Sequence, residues 1–134
     1  MASGLRLPTR AAGLILVALL GGACGDGDTP AGDGLYPDVV DVQATSDDGL
    51  TWTFHVTLSS PYDTPARYAD GWRVVGPDGT VYGVRELLHD HAAEQPFTRS
   101  LAGVEIPSTV TSVVVEGRDQ RNGWGGTSVA FDLP

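Results

Sequence analysis

Lysine is absent from the chain, and all eight of its basic residues are arginines, set against seventeen aspartates and glutamates. Arg6 and Arg10 precede every acid. The six arginines after Cys24 therefore face all seventeen acids, a formal charge of −11 for residues 24–134. Nucleic-acid binding needs clustered Lys and Arg to meet phosphates, so this balance argues against it. It also keeps a domain soluble and off an anionic bilayer. Cysteine occurs once, as Cys24. Residues 25–134 can thus form no disulfide, no thiolate metal site and no cysteine nucleophile, and the fold must stand on its core alone. Enzyme motifs are missing too: there is no G-x-S-x-G elbow, no phosphate-binding loop and no H-E-x-x-H. The chain reads as non-catalytic, with no catalytic residue and no cofactor of its own.

What is present begins with an export signal. Arg6 and Arg10 lead an apolar run from Ala11 to Leu20, and the small residues Gly21, Gly22 and Ala23 stand directly before Cys24. The run is too short to cross a bilayer as a helix, which takes about 20 residues. This arrangement resembles the lipoprotein signal peptides, whose lipobox is a Leu, two small residues and a Cys; here Leu20 lies one position further upstream. The resemblance implies that residues 1–23 are removed and that Cys24, the lipidation site, anchors the protein to a membrane. Stable anchoring takes more than one acyl chain, since each buried methylene adds only about 0.8 kcal/mol. Gly25 follows the Cys where Asp would favour inner-membrane retention, which favours the outer membrane in cells that have one. Residues 24–34 then form an acylated Cys and a Gly-Asp-rich linker with nothing apolar to bury, expected to be extended and solvated.

Residues 35–134 suffice for one domain and alternate in twos. In Thr51–Ser59, Trp52, Phe54, Val56 and Leu58 share one face, and Thr51, Thr53, His55, Thr57 and Ser59 the other. Asp48-Gly49 predicts a hairpin to an upstream strand, Asp38–Thr45. Trp72 and Val74 belong to a third strand, and Pro77-Asp78-Gly79-Thr80 turns it into a fourth, Val81–Leu88. Phe97–Leu101, Thr111–Gly117 and Ser128–Leu133 complete about seven strands, with Asn122-Gly123 in the loop before the last. Trp52 and Trp72 fall on inward positions. No stretch shows helical spacing over ten residues, so the expectation is a single all-β sandwich. Leu101, Pro107, Val113-Val114-Val115 and Gly117-Arg118-Asp119, with a Gly-containing turn and a closing strand, resemble the late strands of immunoglobulin-like and fibronectin type III modules. The tyrosine that normally anchors the corner before the penultimate strand is missing. The PYDTP, YADGW, PDG, LLHDH, EQPFTRSL and NGWGG stretches further resemble small uncharacterised bacterial lipoproteins, which implies architecture and no activity.

Chemistry concentrates in Leu88–Gln95, where a strand enters a loop. If strand geometry persists, His89 and His91 point to one side with Cα atoms about 6.5–7 Å apart, close enough to share a metal ion. Glu94 or Asp70 could add an oxygen ligand and Asp90 could orient a histidine. Imidazole and carboxylate without thiolate favour Zn or Cu. Two histidines fall short of the four ligands of a structural site, and His55 faces outward from mid-strand. The competing reading is a polar loop whose histidines bond to local backbone. Trp124, in a Gly-rich loop, and Tyr62 are candidates to stack on a glycan or anchor a protein partner; alternatively Trp124 folds back to plug the core. The arginines are spread along the chain and are expected to pair with acids such as Glu86, Glu116 and Asp119. The function read from sequence is a lipid-anchored binding module on the periplasmic or outer face of a bacterial envelope, its partner an unknown envelope protein or glycan. The alternatives are a Cu- or Zn-binding lipoprotein using His89 and His91, and a carbohydrate-binding module using Trp124.

Overall fold

The structure, a computed structural model, describes residues 32–134. The signal peptide, Cys24 and the first part of the linker lie outside the described residues. Seven antiparallel strands follow in order: β1 (Asp38–Ser46), β2 (Thr51–Ser59), β3 (Ala69–Val75), β4 (Val81–Glu86), β5 (Phe97–Glu105), β6 (Ser112–Asp119) and β7 (Gly123–Asp132). They form a three-stranded sheet, β1-β2-β5, and a four-stranded sheet, β4-β3-β6-β7. No helix occurs among the described residues. Residues 32–134 form an all-β sandwich, as their alternation predicts.

Alternation builds the core directly. Trp52, Phe54, Val56 and Leu58 of β2 are buried while their neighbours turn toward solvent. Trp72 and Val74 of β3 and Val113 and Val115 of β6 answer from the opposite sheet, joined by Val39, Val42, Phe97, Val104 and Ile106. Phe54 meets Phe131 of β7 edge-on at 6.3 Å. Burying a side chain of this size is worth about 1.5–3 kcal/mol, which lets a domain without disulfides hold together.

Several strand ends depart from the sequence reading; β6, for one, runs two residues past Gly117 to Asp119. β4 stops at Glu86, two residues before Leu88, because Leu87 turns inward. Its amide donates to the Asp70 carbonyl at 2.9 Å and its side chain enters the core. β5 continues past Leu101 to Glu105 around an irregularity in its pairing with β2 between Trp52 and Phe54. β7 begins at Gly123, not Ser128, so Asn122-Gly123 belongs to a tight β6–β7 hairpin, Gly123 having φ +82°. The glycines that hide this strand from sequence reading make room for the segment before β1. A Cβ on Gly125 would stand 2.5 Å from the Tyr36 ring, and one on Gly117 2.6 Å from Pro37. A glycine inside a strand often records such a close approach.

The polar frame of the sandwich also reaches further back than residue 35. Asp33, in the stretch read as solvated linker, pairs with Arg67 through both carboxylate oxygens and accepts from Asn122 Nδ2 at 2.8 Å.

Candidate functional site

The β4–β5 loop carries the histidines, and a buried carboxylate from the β2–β3 loop fixes it. Asp63 is almost wholly buried. One of its oxygens accepts from the Ala69 amide and the other from the His91 amide, each at 3.0 Å. Gln95 adds a second tie, accepting from the Ser60 amide at 2.7 Å and donating to the His91 carbonyl at 3.0 Å. These bonds satisfy backbone groups that a buried loop would otherwise leave unpaired.

The loop does bring His89 and His91 together, although by its own fold and not by strand alternation, since β4 has already ended. Their ring centroids lie 4.7 Å apart. His91 is buried and stacks on Phe97 at 3.9 Å, nearly parallel. Its Nδ1 is buried and has no partner among the described residues. Burial, followed by the charges of Arg99 and His89, lowers its pKa from the ordinary histidine value. His89 is exposed, and its Nδ1 lies 2.8 Å from the Asp90 carbonyl oxygen. Asp90 accepts from the Ala92 amide at 3.1 Å, closing a local turn. Glu94 turns to Arg99, whose Nη2 donates to it at 3.0 Å, and this bond holds its carboxyl below the usual range. Asp70 is likewise taken, accepting from Arg118 Nε at 2.6 Å. His55 sits on the outer face of the other sheet, its Nδ1 2.6 Å from Ser100 Oγ. Among the described residues no three His, Cys, Asp or Glu side chains are grouped to hold one metal ion.

Beside the two histidines opens a cleft of about 170 Å³, whose walls include Arg85 of β4 and Arg99 of β5. Sequence reading missed both in this role. Arg85 stands opposite Trp72 in the β3–β4 ladder, so it shares the inward face of an edge strand. The signal available was an arginine at an alternation position due to point inward.

The aromatic candidates are engaged elsewhere. Trp124 lies on β7, not on a loop, and does not plug the core. Arg73 and Arg118 lie over its ring at 4.1 and 5.0 Å from the centroid. Each guanidinium is itself paired with a carboxylate, Arg73 with Glu116 and Arg118 with Asp70. Tyr62 donates its hydroxyl to Asp119 at 2.8 Å; burial and then Asp119 push its pKa upward. Asp119 is the centre of this second network. It also accepts from Arg67 Nη2 at 2.9 Å and from the amides of Arg121 and Asn122 at 2.9 and 2.7 Å. Burial alone would raise its carboxyl, but these donors outweigh it and leave the pKa below the carboxylate norm. Of the expected ion pairs, those at Glu116 and Asp119 form, whereas Glu86 has none among the described residues.

No protein-family model matches the chain, and no solved structure matches it significantly. It is similar to a Halomicrobium mukohataei protein named "Putative lipoprotein", 44% identical over 95 residues, which are 71% of this chain and 46% of that protein. The chain thus spans a little under half the length of the curated relative it matches.

Proposed function

We propose that this protein is a membrane-anchored β-sandwich that acts by binding and not by catalysis, held through lipid on Cys24. The similarity to a protein named as a lipoprotein is the observation that carries this reading. The order of arginines, apolar run, small residues and Cys24 supports it independently. The ion pair between Asp33 and Arg67 marks where the anchor's tether joins the sandwich. Eight residues separate Cys24 from Asp33, a reach of at most about 30 Å from the lipid. The immunoglobulin-like or fibronectin-like kinship, the envelope location and an envelope protein or glycan as partner belong to the same proposal.

Replacing the cysteine tests it. In Cys24→Ser, mass spectrometry of the N-terminal peptide should show no acyl chain, and the protein should move from the membrane to the soluble fraction. A Cys24→Ser protein that stays with the membrane, or a wild-type protein that was never acylated, would refute the anchor.

A further inference from the structure

We propose that the cleft between β4, β5 and the histidine loop binds a single oxyanion, a phosphate or carboxylate group of a small ligand. Three observations converge on it. Arg85 and Arg99 line the cleft together with His89 and His91. Arg85 is in none of the five ion pairs among the described residues, and its Nε is buried without a partner there. The Nδ1 of His91, on a ring that is 5% exposed, is also buried and unpartnered. Buried nitrogens without partners are costly and uncommon in folded proteins. Both belong to residues that line this one cleft, and a ligand oxygen would give each a partner, with His91 in its Nδ1–H tautomer.

The charges select the sign of the ligand. Arg99 gives Nη1 and Nη2 to Glu94, which leaves Arg85 as the uncommitted cation. Guanidinium presents forked donors suited to two oxygens of one group. The same guanidiniums would repel a metal cation, so they count against Zn or Cu at the paired histidines. Phe97 supports the arrangement from below, with His91 stacked on its ring and the Arg99 guanidinium 5.5 Å from its centroid. Size and surroundings select a small ligand. The cleft holds about 170 Å³, and the strongly acidic chain around it disfavours a polyanion. Leu88, 80% exposed at the rim, can cover the apolar remainder of the molecule that carries the anion.

The test is an NMR titration of the full chain in detergent micelles, at fixed chloride, with inorganic phosphate and separately with acetate. The ring signals of His89 and His91 should shift on millimolar addition, and the tighter anion tells which oxyanion the cleft prefers. Arg85→Gln should weaken binding about tenfold, the loss of one charge-assisted contact. Glu94→Gln changes an exposed position that does not threaten the fold. It should tighten binding by removing a negative charge and freeing Arg99. Absent shifts, or binding unchanged in Arg85→Gln and Glu94→Gln, would overturn the proposal. So would Zn(II) or Cu(II) binding that is weakened by Glu94→Gln and lost in His89→Ala/His91→Ala. None of these readouts depends on whether Cys24 carries lipid.

Discussion

Asp119 shows how one side chain can organise an end of the sandwich. Its carboxylate is fully buried and accepts from Tyr62, Arg67 and two backbone amides, while Arg67 reaches on to Asp33. Taking the charge away removes the buried one of the two carboxylates that Arg67 holds, and leaves it with the more exposed Asp33. Asp119→Asn should therefore destabilise the fold by about 2 kcal/mol, and Tyr62→Phe by about 1.5 kcal/mol for one hydrogen bond to a charged acceptor. Urea denaturation of the full-length variants measures both. A lowered carboxyl pKa means that the unfolded chain takes up this proton first as pH falls. The stability contributed by Asp119 is complete above pH 3.8, its ordinary value, and is lost progressively below it. In Asp119→Asn the acid limb of the stability profile should flatten; an unchanged limb would place the acid sensitivity elsewhere. That Asp119 pairs with an arginine was legible in the sequence. Which arginine was not, because Arg67 is 52 residues away and only the strand order brings them together.

At the scale of elements, β2 was readable from end to end, since its two faces separate into apolar and polar sets. β7 was half readable, because the first part of it is glycine where alternation needs side chains. Those glycines are used by Tyr36 and Pro37, a contact that sequence spacing does not reveal. A paired substitution isolates it. Gly49 and Gly126 both adopt positive φ, +74° and +82°, yet a Cβ on Gly49 meets nothing within 4 Å while one on Gly126 would collide with the Pro37 carbonyl. Gly49→Ala should cost about 1–2 kcal/mol, the left-handed strain alone. Gly126→Ala carries the same strain plus the clash, and its denaturation midpoint should fall clearly lower. Equal midpoints would mean that Pro37 yields freely and that the segment before β1 does not brace β7. The histidine loop divides in the same way. Its two rings were legible as neighbours, but Arg85 and Arg99 lie on β4 and β5, so only the meeting of those edges reveals a cationic cleft.

Across the whole molecule, local and global electrostatics pull in opposite directions. Five arginine–carboxylate pairs are present among the described residues, against seventeen acids in the chain, so most of the negative charge is balanced by solvent alone. Such an excess repels itself in the compact state, and salt relieves it, the Debye length falling from about 30 Å at 0.01 M to about 10 Å at 0.1 M. The urea midpoint should therefore rise with sodium chloride over this range. A small gain is expected because salt also screens the exposed Glu94–Arg99 pair, whereas the buried Asp119 pair is shielded from it. Binding of an oxyanion at Arg85 should weaken over the same range, since screening and chloride both act against it. Opposite slopes of fold stability and anion affinity are the signature of a cationic cleft set in an acidic body. A midpoint that falls with salt would show that the ion pairs outweigh the repulsion and that the acidic surface does not strain the fold.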